Sequence, residues 1–134
     1  MRQEVSRTVL DTNVYISAYG FGGKPAQVMR AAILGEFELV TSPAILTEVA
    51  QKLESVLGFD RAHTTDVVQQ IARVATVVRP VGRLDVVADD SDNRILEAAL
   101  ESGAEIIVSG DRHLLALGEW ESIRVMRVAE FLGR

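Results

Sequence analysis

Four acidic residues, Asp11, Glu48, Asp92 and Asp111, are the side chains whose types and places in this sequence could do chemistry. Asp11 directly follows the apolar run Thr8-Val9-Leu10, and Asp111 follows Ile106-Ile107-Val108 after the small pair Ser109-Gly110. Asp92 falls in the first turn of a segment whose Ile95, Leu96, Ala99 and Leu100 recur at helical spacing. Glu48 sits beside an apolar stripe of Leu46, Val49, Ala50 and Leu53. Two unit charges about 4 Å apart repel by roughly 4 kcal/mol at an effective dielectric of 20, so carboxylates gathered in one place need a cation. The chain has no cysteine, and its second half has no lysine. Oxygen ligands without sulfur or imidazole select hard cations, which makes Mg²⁺ or Mn²⁺ the matching partner. Such ions hold phosphates and activate water, so phosphodiester hydrolysis is the leading chemistry.

Each acid also has a purely structural explanation. Asp11 could cap a turn, and Asp92 with Asp89 and Asp90 could complement a helix dipole. Asp111 could N-cap the helix containing Leu114, and Glu48 stands four residues before Lys52, the order that favours a surface ion pair. A site is favoured because these separate explanations would all have to coincide at one edge of the fold.

The elements that would position these acids alternate short β-like runs with helical segments. Strands are expected at Thr8 to Leu10, Phe37 to Val40, Thr76 to Arg79, Ile106 to Val108 and Arg124 to Arg127. Pro25 fits the first turn of a helix carrying Val28, Met29, Ala32 and Ile33 and stopping at Gly35; Ser42 and Pro43 open another. Further helices are expected from about Thr65 to Ala75, from Ser91 to Gly103, around Leu114 and Leu115, and from Val128 to Leu132. Gly20 to Gly23 reads as a loop. Strands separated by helices pair in parallel through right-handed crossovers, giving a three-layer α/β/α domain. In open sheets of this kind ligands bind at the carboxyl ends of the strands, where strand order reverses. Asp11 and Asp111 both stand at such ends.

Composition bounds the rest. A length of 134 residues, 48% hydrophobic and 25% charged, suits one domain spanning residues 1–134, and no repeat or linker divides it. Net charge is −5, so the basic footprint of a protein that coats nucleic acid is missing, although neutralising four acids with bound cations would leave −1. The opening MRQEVSRTVL is unlike a signal peptide, and the apolar runs fall far short of the roughly 20 residues that span a bilayer; a cytoplasmic protein with no membrane partner is expected. Lack of cysteine excludes disulfides, zinc thiolates and thiol nucleophiles. His63 and His113 are too far apart to suggest a metal pair and read as solvent-facing or structural. Tyr15, Tyr19 and Phe21 bracket the glycine loop and could stack on bases, with at least one packed into the core. Arg94 and Arg112, each close to a proposed acid, could contact a substrate phosphate or only offset the acids.

The stretches VLDTNVYIS, TSPAILTEVAQKL and DDSDNRILEAALESGAEIIVSGDRHLLAL resemble the successive motifs of PIN-domain nucleases. Over nearly its full length the chain is similar to the VapC-like group, toxins of toxin–antitoxin pairs. That resemblance implies a five-stranded parallel sheet in the order 3-2-1-4-5, with strands 1 and 4 side by side. It assigns Asp11, Glu48, Asp92 and Asp111 to the acidic metal site, matches Asn13 and Ser109 to polar positions near it, and leaves Asp89 as a secondary candidate. It also implies Mg²⁺ or Mn²⁺, an RNA substrate, hydrolysis by metal-activated water leaving a 5′-phosphate, an antitoxin partner and self-association. The rival readings are a non-catalytic PIN-like RNA-binding or interaction module and a Mg²⁺-binding phosphoacceptor signalling domain. The latter is disfavoured because no lysine stands near the last strands.

Overall fold

In the computed structural model, which describes residues 5–134, the chain begins with β1 (Arg7–Leu10), α1 (Thr12–Phe21) and α2 (Gly23–Ile33). It continues with β2 (Glu38–Thr41), α3 (Pro43–Ser55), α4 (Arg61–Val74) and β3 (Thr76–Val77). The remainder is α5 (Asp90–Ser102), β4 (Ile106–Val108), α6 (Arg112–Leu117), β5 (Glu119–Trp120), β6 (Ile123–Met126) and α7 (Val128–Gly133). One sheet joins the strands in the order β3-β2-β1-β4-β6-β5. Its five parallel strands follow the expected 3-2-1-4-5 order with β6 in fifth place. The 2-1-3-4-5 order of phosphoacceptor signalling folds is therefore excluded.

Val9 of β1 and Ile107 and Val108 of β4 are completely buried, as strands covered on both faces must be. Connections from β1 to β3 step one way across the sheet and later ones step back. With right-handed crossovers, this puts α1 to α4 and α5 to α6 on opposite faces.

Four details differ from the sequence reading. The Gly20 to Gly23 loop is instead a joint between two helices, because Gly20 and Phe21 close α1 and Gly23 opens α2. Gly22, at φ 77 and ψ −135, and Gly23, at φ 65, make the bend together, conformations that cost a side-chain-bearing residue dearly. The third strand stops at Val77, so the segment expected to reach Arg79 leaves the sheet two residues early. Helix α4 opens at Arg61 with the Asp60 side chain accepting from His63 N, ahead of the expected Thr65. A sixth strand, β5, pairs antiparallel with β6 through Glu121 and Ser122, at φ 52 and 65. Positive φ at both turn residues matches the twist of a two-residue hairpin. The three aromatics also part company: Tyr15 is in the core, Tyr19 bonds Gln70, and Phe21 is exposed. No helix among the described residues is long and apolar enough to cross a membrane.

Candidate metal centre

Strands β1 and β4 lie side by side with Leu10 opposite Val108, and the chain leaves them toward opposite sides of the sheet. Their carboxyl ends therefore open a crevice. The Asp11 amide extends the ladder by donating to Val108 O at 2.9 Å, which places the buried Asp11 side chain at the mouth of that crevice. Ser109, wholly buried at the end of β4, donates from Oγ to Asp11 Oδ2 at 2.7 Å and accepts from Asp111 N at 2.9 Å. One hydroxyl thus fixes two acids that stand far apart in sequence. Asp111 N-caps α6, its Oδ1 accepting from His113 N at 2.8 Å and Leu114 N at 3.2 Å. Capping and membership of the cluster coexist here, since the cap holds the carboxylate where it meets its neighbours.

Helix α5 brings in Asp92. Its N-cap is Asp89, which accepts from Ser91 N at 3.0 Å and Ser91 Oγ at 2.7 Å, bonds that hold the Asp89 carboxyl below the usual range. Asp92, three residues on, is buried. The segment before α5 has no ladder of its own, so its backbone groups must be met by side chains. Asn93 Oδ1 accepts from Val86 N at 2.9 Å and Val87 N at 3.0 Å, while its Nδ2 donates to Val87 O at 3.0 Å. Glu97 accepts from Leu84 N at 2.7 Å, and Arg94 donates to Leu84 O at 3.0 Å and pairs with Glu97 at 3.0 Å. These side chains strap the segment to α5 and set the entry angle of the helix that carries Asp92.

The electrostatics follow from burial and crowding. Burial raises Asp11, and Asp111 and Glu48 push in the same direction; the Ser109 hydroxyl opposes them. Asp92 is pushed up to about 8 by burial, by the Asp111 carboxyl group beside it, and by the charges of Asp111, Asp11 and Asp89. Its Oδ2 is buried with no N–H or O–H donor to satisfy it. Ligand atoms of Asp92, Asp111 and His113 lie within 4.8 Å of one another. An orphaned carboxylate oxygen, acids held toward their protonated forms and a donor set dominated by oxygen fit a hard divalent cation.

Glu48, on α3, stands outside the close group formed by Asp92, Asp111 and His113. It lines a cleft of about 200 Å³ with Thr12, Gln51, Asp90, Ser91 and Arg94, and its charge is felt at Asp11. The expected pair with Lys52 is not formed, because Lys52 Nζ reaches across to Asn13 Oδ1 at 3.1 Å. Asn13, matched by the resemblance to a polar position near the site, is exposed, and its Oδ1 accepts from that lysine. Arg94 is committed to Glu97, Asp90 and Leu84, while Arg112 is exposed on α6. His63 stacks on Phe59 at 3.9 Å, a structural role as expected. His113, read from the sequence as solvent-facing or structural, instead stands with its Nδ1 3.6 Å from Asp111 Oδ1, in the same group as Asp92 and Asp111. The signal was the spacing D-R-H at a helix start, which returns residue 113 to the capping acid.

Fold and site define an α/β domain that gathers carboxylates from separate elements at the point where its strand order reverses. Residues 7–113 match the family model described as the PIN domain, and the chain belongs to that family. An uncharacterized protein of Methanocaldococcus jannaschii is 31% identical over 117 residues, covering 83% of this chain and 74% of that relative. Among solved structures, a chain of VapBC2 from Rickettsia felis, determined bound to a DNA fragment from its promoter, superposes with a TM-score of 0.64. Identity is 9%, with 90% of this chain and 98% of that chain covered. PAE2754 from Pyrobaculum aerophilum gives a TM-score of 0.62 at 21% identity, covering 97% of this chain and 88% of that one.

Proposed function

We propose that this protein is a metal-dependent endoribonuclease, the toxin of a toxin–antitoxin pair. The observation that carries the reading is the convergence of Asp11, Asp92 and Asp111 at the switch point, with Asp92 Oδ2 buried and unpartnered. These three residues would hold Mg²⁺ or Mn²⁺. When bound, the cation supplies Lewis-acid polarisation of a phosphoryl oxygen and lowers the pKa of water, chemistry that leaves a 5′-phosphate. Ser109 holds Asp11 in one orientation, and the N-terminal turn of α6 holds Asp111, so the carboxylates are set before substrate arrives. Glu48, across the cleft, completes the site or positions the attacking water. His113, its Nδ1 3.6 Å from Asp111 Oδ1, would stand beside the cation as a further donor. Asp89 shapes the site indirectly, as the cap of the helix that carries Asp92.

Family membership supports nuclease chemistry, and the fold shared with a chain of VapBC2 is compatible with the toxin reading, from which an antitoxin partner, self-association and action in the cytoplasm follow as part of the proposal. The test is cleavage of single-stranded RNA with Mg²⁺, Mn²⁺ or EDTA by the parent chain and by Asp11→Asn. Cleavage that needs the metal and falls by orders of magnitude in the variant is expected. Undiminished cleavage by Asp11→Asn, or equal cleavage in EDTA, would overturn the assignment, and a folded chain with no metal-dependent cleavage would return the interaction-module reading.

A further inference from the structure

A second cavity, of about 390 Å³, adjoins the acidic cleft and shares Ala44 and Arg94 with it. Its walls are the first turn of α3, the segment from Arg79 to Arg83, and the Arg94 and Glu97 side chains of α5. Three arginines thus converge on one groove in a chain whose net charge is −5. The acid in the lining, Glu97, is already engaged by Arg94 and the Leu84 amide. Arg79 is exposed and makes no ion pair among the described residues. Arg83 meets Asp90 at 3.3 Å, but the two side chains are 75% and 69% exposed, so solvent screens the pair and an incoming anion can replace it. Arg94 keeps Nε and Nη1 without hydrogen-bond partners beneath them. The first turn of α3 adds to this field. Pro43 has no N–H, and Ile45 and Leu46 donate to Ser42, which leaves the Ala44 amide as the donor at the positive end of a 13-residue helix.

We propose that this groove binds a phosphodiester group of single-stranded RNA, a neighbour of the phosphate that enters the acidic cleft. The proposal rests on the ribonuclease reading and names how that enzyme would hold its substrate. An acidic cleft repels a polyanion, so affinity for the strand has to come from elsewhere. Guanidinium groups match phosphate oxygens in a planar two-donor fork, and contacts of this kind position a strand without reading its bases. The two cavities have Ala44 and Arg94 in both linings, so a strand lying in one has only these two residues to cross to reach the other. Arg79 and Arg83 are then the strand-binding residues. Arg94, tied down by Glu97 and Leu84, forms the charged floor.

The experiment measures binding of a short fluorescent single-stranded oligoribonucleotide in EDTA, so that hydrolysis does not enter. The full chain is compared with the double variant Arg79→Gln/Arg83→Gln and with Arg73→Gln, an exposed arginine of α4 away from the groove. Each phosphate contact on a single strand contributes about 0.7 to the slope of log K against log salt, so the double variant should lose about 1.4. Referred to 1 M salt, that is roughly 25-fold weaker binding at about 0.1 M. Arg73→Gln should stay near the parent. Unchanged slope and affinity in the double variant, an equal loss in Arg73→Gln, or no binding by the parent at low salt would each overturn the proposal. A matched single-stranded DNA that loses affinity while the RNA does not would overturn the assignment to RNA. Since no turnover is read, a parent chain that binds in this way but never cleaves would remove the nuclease reading and leave the groove intact.

Discussion

Replacing Asp92 with asparagine isolates what it costs the folded chain to bring its carboxylates together. The ordinary value for this group is 3.8, and in the folded protein it stands at about 8. Between those values the native state keeps a proton that the unfolded chain has lost. The contribution to stability is therefore fully present below about 3.8 and is lost progressively as pH rises to about 8. One proton sets the slope at up to about 1.4 kcal/mol per pH unit. Solvent at the open side of the cleft screens the charges and shortens the window. Between about pH 5 and pH 7 the loss is still on the order of 2 kcal/mol. Asp11, raised by its own burial, acts in the same direction in both proteins, and because its charge is one cause of the Asp92 shift the comparison reads the coupled pair. Urea unfolding in EDTA across this range should show the parent falling away from Asp92→Asn as pH increases. Adding Mg²⁺ or Mn²⁺ at about a hundredfold excess over Kd should restore about 2.7 kcal/mol to the parent and less to the variant. Parallel stability curves for the two proteins would refute the reasoning, because Asp92 would then ionise as freely in the folded chain as in the unfolded one.

Two further outcomes test the supports of the site. Asn93→Ala removes three hydrogen bonds to Val86 and Val87 and should cost about 2–4 kcal/mol in urea unfolding; a loss below about 0.5 would mean that the segment before α5 is held by other means. Glu48→Gln should cut metal-dependent cleavage strongly. Lys52→Gln, which loses only an exposed bond to Asn13, should change stability by no more than about 0.5 kcal/mol and leave cleavage alone; equal, small effects on cleavage would remove Glu48 from the site.

The parallel core was legible because its strands are short apolar runs and its helices carry one-sided stripes, as in Val67 and Ile71 of α4. Helix α1 was not, and its burial shows why. Thr12, Val14, Tyr15 and Ile16 are all buried, since α1 packs against both α2 and α3, and a helix covered on several sides has no polar face to mark its period. The β5–β6 hairpin was hidden differently: its turn uses Glu121-Ser122 where Asn-Gly would have announced positive φ. Of the acids, Asp11 and Asp111 were readable from strand ends, and Asp92 from its place in a helix's first turn. The partners of Lys52 and Arg94 depend on which surfaces tertiary packing brings near them, and spacing along the chain carries no such information.

The outermost strands, β3 on one side of the sheet and β5 on the other, are each two residues long. An edge strand offers a row of unpaired amides and carbonyls on which another chain can lengthen the sheet, and here each row ends almost as soon as it begins. The antiparallel turn at Glu121-Ser122 adds a tight reversal beside one of them. Aliphatic strands as apolar as Ile106 to Val108 would be an aggregation template if they lay at a border. Enclosed between stub strands, they can be fully buried without inviting edge-to-edge growth, so strand addition is a poor route onto this molecule from either side.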